Sequence, residues 1–154
     1  MISQRAKYAL KALMVLAEEA AGEGGALTIE DIAQRSGSPK RFLEHILLEL
    51  RNAGFLRSRR GRAGGYRLVK APEAVSIGAV VRLIDGPMAP LPCLSRTAYQ
   101  RCNDCRDEET CRIRHLFAEV FGMYLLVIES LTLANLLREP GFSGVSSLLS
   151  EQTR

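Results

Sequence analysis

Residues 27–70 read LTIEDIAQRSGSPKRFLEHILLELRNAGFLRSRRGRAGGYRLVK, and this stretch decides the fold. Thr28 is followed three residues later by Asp31, a spacing that puts a hydroxyl at a helix N-cap and a carboxylate in the first turn. Ile29, Ile32 and Ala33 predict one apolar face, and Gly37 supplies the break. A second helix then begins: Ser38 stands where it can cap, Pro39 suits the first helical position, and Gly54 ends the run. Phe42, Leu43, Ile46, Leu47 and Leu50 recur at helical spacing and are expected in the core. The other side of the first turns carries Lys40, Arg41, Glu44 and His45. Two helices joined by a tight glycine turn, the second with an exposed basic start, form a helix-turn-helix signature.

Downstream, Phe55 and Leu56 lead into Arg57, Arg59, Arg60 and Arg62, and glycines separate these from Tyr66, Leu68 and Val69. The pattern predicts a hairpin, with Gly61, Gly64 and Gly65 supplying positive φ values and close backbone approach. The helix pair and hairpin together make a winged helix. There the second helix sets its first side chains on base edges in the major groove, while the wing's arginines reach phosphates or a narrow minor groove. The candidate DNA-binding residues are Thr28, Ser38, Lys40, Arg41, Glu44, His45, Arg59, Arg60, Gly61, Arg62 and Tyr66. Glu44 is repelled by phosphate, so it suits this surface only by accepting from a cytosine amino group or by selecting against other bases. The bland alternative is a solvated basic hairpin that binds nothing. Charge distribution argues against it: residues 38–70 hold nine Lys or Arg against two Glu, in a chain whose total is only +4. A basic block beside an acidic remainder suggests an anionic partner bound at one place.

The rest of the 154 residues suits one modest domain with an appendage. No apolar run approaches the roughly 18 residues of a membrane span. The opening MISQRAKYALKALMVLAEEAA is interrupted by Lys11 and closed by Glu18 and Glu19, so an amphipathic helix is expected rather than a signal peptide. A cytoplasmic protein with reduced thiols is the corresponding expectation. There is no Walker loop, no HExxH and no plausible Ser-His-Asp set, so the chain is not expected to be an enzyme. Ser76 is placed to cap a short helix ending at Gly86, after which Pro87, Pro90 and Pro92 should hold the chain extended up to Cys93. Beyond the last cysteine no proline occurs until Pro140. Ile113, Phe117, Val120, Tyr124, Val127 and Leu131 form a heptad seam there, widened by Leu116, Leu125 and Ile128. A homodimer through this helix is expected, with packing against the chain's own first helix as the alternative. The tail from Gly141 should fray. The expected fold is mainly α. Residues 1–86 form a winged helix-turn-helix with a two-stranded wing, 87–111 a sensor loop, 112–140 a long dimerisation helix and 141–154 a tail.

All four cysteines fall in CLSRTAYQRCNDCRDEETC, residues 93–111. Four thiols in one short loop can converge on a metal, and sulfur favours zinc, Cu(I) or iron–sulfur clusters. Disulfides suit a secreted chain, which this is not expected to be. A CxxC thiol oxidoreductase could use Cys102 and Cys105, but nearby Asp104, Asp107, Glu108 and Glu109 would raise a thiol pKa rather than lower it. Structural zinc normally takes two closely spaced pairs, and only one pair is close. A cluster or a bare thiol sensor stands ahead of these readings.

The order of helix-turn-helix, RGRAGGYRL wing, SIGAVVRLIDG helix, cysteine loop and helix ending SLTLANLL resembles the IscR/NsrR family of bacterial winged-helix regulators, also called the Rrf-two type. The resemblance runs from KYALKALMVLA to about Leu137. It implies a homodimer on promoter DNA and a [2Fe-2S] or [4Fe-4S] cluster whose state reports redox, iron or nitric oxide. Some members of the family lack a cluster and act through thiols or partner proteins. The family's three spaced cysteines best match Cys93, Cys102 and Cys111, with Cys105 extra to the pattern. The fourth ligand is implied to be Cys105 or His115, which lies one residue beyond a histidine used in one branch. Another branch uses an acidic residue of the first helix, where this chain has Lys7 and Tyr8. Arg62-Ala63 stands where many members have Pro-Gly.

Overall fold

The computed structural model describes residues 2–22, 24–61 and 63–138. Helix α1, Gln4–Ala21, is capped by Ser3, whose hydroxyl accepts from the Ala6 N–H at 3.1 Å. It buries Ala6, Ala9, Ala12, Leu13 and Leu16 at three- and four-residue spacing, and the alanines let neighbouring helices come close. Around it stand α2 (Ile29–Ser36), α3 (Lys40–Asn52), α4 (Ile77–Asp85) and α6 (Leu133–Leu137). The capping box of α2 is complete: Thr28 Oγ1 accepts from the Asp31 N–H at 3.2 Å, and the Thr28 N–H donates to Asp31 Oδ2 at 3.0 Å. Gly37 closes the helix in the left-handed region, with φ 62°.

Helix α3 fills the core with Leu43, Ile46, Leu47 and Leu50, all fully buried. Two expectations fail here. Ser38 does not cap α3, because Pro39 itself holds the N-cap position and Ser38 lies one residue too early. The Ser38 N–H donates to the Ala33 carbonyl at 3.2 Å, and its buried hydroxyl finds no partner among the described residues. Phe42 sits at the edge of the apolar stripe, 37% exposed, beside the Tyr8 ring (centroids 5.7 Å apart) and under the Arg41 guanidinium at 4.9 Å.

The wing pairs β1 (Leu56–Arg59) with β2 (Gly65–Leu68) in antiparallel register, Leu56 opposite Leu68 and Arg59 opposite Gly65. Leu27 adds a short third rung, exchanging both backbone hydrogen bonds with Tyr66 at 3.1 and 2.8 Å. Gly61 and Gly65 take positive φ, but Gly64 does not. Gly64 is needed for room: a Cβ there would stand 2.4 Å from the Arg59 carbonyl oxygen. Arg62, one of the expected DNA-binding residues, lies outside the described residues.

Ser76 caps α4 as expected, accepting from the Ala79 N–H at 3.4 Å. The proline segment ends differently: Pro92 opens a 3-10 turn, Pro92–Leu94, instead of continuing extended, which a proline at the first turn position allows. The C-terminal helix is also shorter than the 112–140 span. Helix α5, Arg112–Ser130, stops because residues 131–133 leave the helix to bond residues 75–77. Thr132 and Asn135 then form a capping box for α6. Pro140 and the tail 141–154 lie outside the described residues. No described helix is long and apolar enough to cross a membrane.

The Asp31 carboxyl is held below its ordinary value of 3.8 by its hydrogen bonds with Thr28, first the side chain and then the backbone. A depressed folded value means a contribution present above 3.8 and lost as pH falls through Asp31's own folded value. Thr28 is also the N-cap of α2, and losing a threonine cap costs about 1 kcal/mol, so Thr28→Ala should destabilise the protein by that amount at neutral pH. Denaturant unfolding repeated below pH 3.8 should show that penalty shrink.

Candidate nucleic-acid interface and cysteine loop

The start of α3 presents Lys40, Arg41, Glu44 and His45 to solvent, because Leu43, Ile46 and Leu47 take the core-facing side of the helix. Strand β1 of the wing packs beside α3 and leads into Arg59, Arg60 and Gly61, all exposed, with Tyr66 of β2 half-buried. Thr28 is exposed at the edge of this surface, whereas Ser38 is buried beneath it, 4% exposed. One partner was not legible in the sequence. Glu30 of α2 accepts a hydrogen bond from Lys40 Nζ, which holds the Glu30 carboxyl below and the Lys40 ammonium above their ordinary values. Lys40 is thus tied back toward α2, and Arg41 stacks over Phe42, which leaves Glu44 and His45 without ion pairs among the described residues.

The cysteine loop starts on the 3-10 turn, where Cys93 is buried, 6% exposed. The Gln100 N–H donates to the Pro92 carbonyl at 3.2 Å and folds the loop back on that turn. Partial burial pushes the Cys102 thiol above its ordinary value, with further contributions from Cys93, Asp104 and Cys105. The Cys105 N–H closes a turn onto the Cys102 carbonyl at 3.2 Å. Cys111 serves a separate end of the loop as the N-cap of α5, its Sγ accepting from the Arg114 N–H at 3.5 Å. His115 is exposed one turn into that helix. The donors are chemically right for a soft metal or cluster. As folded, however, no three His, Cys, Asp or Glu side chains are gathered as a metal site among the described residues.

Residues absent from the sequence expectations brace this loop. Tyr99 Oη donates to Glu108, and Glu108 pairs with Arg114 of α5 at 3.5 Å. Arg101 donates to the Cys105 and Arg106 carbonyls, both at 3.1 Å. The acidic run that argued against a reactive thiol therefore supplies a structural link from loop to helix. Beyond it, α5 leaves Ile113, Phe117, Val120, Tyr124 and Val127 between 38% and 62% exposed, while Leu131 is half-buried. An apolar groove of about 850 Å³ runs between Phe117, Val120 and Tyr124 on one side and Val81, Pro87 and Met88 on the other.

A helix-turn-helix with a basic, exposed second helix and an arginine-bearing wing defines the winged-helix class of DNA-binding proteins. Residues 2–139 match the Rrf2 family, described as an iron-dependent transcriptional regulator, and the chain belongs to that family. An rrf2-like HTH-type transcriptional regulator of Rhodobacter capsulatus is 66% identical over 138 residues, 89% of this chain and 92% of the relative. The regulator NsrR of Geobacillus kaustophilus is 34% identical, covering 95% of this chain and 94% of that protein. The solved structure of CymR (YrzC), the global cysteine regulator of B. subtilis, superposes with a TM-score of 0.71 at 30% identity, over 89% of this chain and 95% of that one. The protein is accordingly a DNA-binding transcriptional regulator, a class without enzymatic activity.

Glu108 joins Tyr99 of the loop to Arg114 of the helix, so Glu108→Gln should loosen that join. Hydrogen exchange should quicken at the Cys111 and Arg114 amides and stay unchanged in α2 and α3.

Proposed function

We propose that the protein is a homodimeric regulator of promoter DNA whose cysteine loop holds an iron–sulfur cluster. The observation that carries this reading is the placement of four thiols between a DNA-binding body and a helix with an uncovered apolar face. Lys40, Arg41, Glu44 and His45 would meet base edges, and Thr28, Arg59, Arg60, Gly61, Arg62 and Tyr66 would meet the backbone or minor groove, while the buried Ser38 is set aside from the contact surface. A second copy would cover the seam from Ile113 to Val127, setting the distance between two recognition helices. DNA and reduced thiols both accord with a cytoplasmic setting.

Cys93, Cys102 and Cys111 would bind the cluster, with Cys105 or His115 as the fourth ligand. When bound, such a cluster supplies a charged, oxidation-sensitive cross-link among the loop's thiolates. The chain's own part is mechanical. Engaging Cys111 draws on the sulfur that caps α5, and the Tyr99–Glu108–Arg114 link carries loop movement into the first turn of that helix. A switch of this kind needs only about 1–3 kcal/mol of coupling between the two dimer arrangements. The iron-dependent description of the family and the similarity to NsrR support the cluster. A second reading is a loop that binds zinc or works through thiols alone. It is favoured by the ungathered cysteines and by the likeness to a cysteine regulator.

Anaerobic purification followed by iron analysis and visible spectroscopy separates the readings. The cluster predicts coloured, iron-containing protein bleached by Cys102→Ala, and only one of Cys105→Ala and His115→Ala should alter the spectrum. Colourless protein, with stoichiometric zinc or with no metal, would move the assignment to the second reading.

A further inference from the structure

On the outward face of the wing, Arg59 of the DNA surface is joined by two arginines that the reading above leaves unassigned. In the observed register Arg57 stands directly opposite Arg67, and Arg59 follows two residues on along the same strand, so the three side chains share one face. Like charges placed directly opposite destabilise a strand pair. Nothing nearby relieves them: the ion pairs among the described residues occupy Arg5, Arg35, Lys40, Arg82 and Arg114, and none includes Arg57, Arg59 or Arg67. A surface cleft of about 370 Å³ lies between the three arginines, completed by Ala26, Ser58 and Gly65. Its backbone is held firmly, since Leu27 and Tyr66 exchange both hydrogen bonds beside it. A planar guanidinium donates two parallel hydrogen bonds to phosphate oxygens, and three such groups around one cleft match a tetrahedral oxyanion.

We infer that Arg57, Arg59 and Arg67 form a phosphate-binding site on the flat face of the wing, whose occupant is a backbone phosphate of the bound duplex. The inference rests on the DNA-binding reading of this domain and adds Arg57 and Arg67 to it. Such a contact contributes affinity without sequence preference, and it relieves the cross-strand repulsion only when DNA is bound. Inorganic phosphate presents the same oxygens, so the two sources have to be told apart.

The test uses the full-length protein, wild type, Arg57→Gln/Arg67→Gln, Arg57→Lys/Arg67→Lys and Arg41→Gln, with a mixed-sequence 30-base-pair duplex titrated at several salt concentrations. Each lost phosphate contact lowers the slope of log affinity against log salt by about 0.9. The glutamine pair should therefore flatten the slope by roughly 1 to 2, and the lysine pair should restore most of it. A parallel titration with inorganic phosphate follows the arginine Nε–H signals by NMR. An unchanged slope with phosphate-dependent shifts that the glutamine pair abolishes would keep the site but overturn its DNA occupant. A glutamine pair equal to wild type in both measurements, while Arg41→Gln weakens the duplex complex, overturns the site alone. A wild-type protein that does not bind the duplex at all contradicts the underlying DNA reading instead, and the phosphate titration then decides the site.

Discussion

The short backbone ladder between residues 75–77 and 131–133 holds the two functional halves of this protein together. The Ile77 N–H donates to the Leu131 carbonyl at 2.9 Å, and the Leu133 N–H donates to the Val75 carbonyl at 2.8 Å. Side chains reinforce it, with Arg82 paired to Glu129 at 2.9 Å and Ser76 Oγ donating to the Glu129 carbonyl at 3.3 Å. Gly78 permits the close packing, since a Cβ there would come within 3.0 Å of Glu129. These contacts pin the C-terminal end of α5 to the winged-helix body. The N-terminal end is tied to the cysteine loop through Cys111 and the Tyr99–Glu108–Arg114 link, which is the connection that the proposed switch uses.

That arrangement explains why α5 keeps so much apolar surface in contact with water. Its last turns bury Ile128 against α4, but Val120, Met123 and Leu126 are at least half exposed. Contiguous apolar surface of this extent on a regulator marks an interaction face. In the dimer proposed above a second copy would cover this face, which suits a DNA reader because paired half-sites one helical turn apart require paired recognition helices.

The winged helix was largely legible in the sequence because its signals are local. Thr28 and Asp31 are three residues apart, and Gly37 and Gly54 sit where the helices end. Features that depend on distant residues were not legible. The end of α5 at Ser130 follows from pairing with residues 75–77, although the Thr132–Asn135 spacing carried a hint of a new helix start. The tie between Lys40 and Glu30 joins two helices, and the misplacement of Ser38 turned on one residue of helix phase. In the loop, residue type pointed to soft-ligand chemistry. No periodicity there fixes geometry, so the separate role of Cys111 as a helix cap and the bracing by Tyr99 and Glu108 emerged only from the fold.

The central claim is that the seam of α5 is buried by a second copy of the chain, which lets the loop set the spacing of the recognition helices. Sedimentation velocity of the metal-free protein, compared with Val120→Asp, tests it most directly. The account predicts a dimer for the wild type and a monomer with unchanged helix content for the variant, because a carboxylate in the middle of the seam cannot be buried unpaired. A wild-type protein that sediments as a monomer across the accessible concentration range would contradict it.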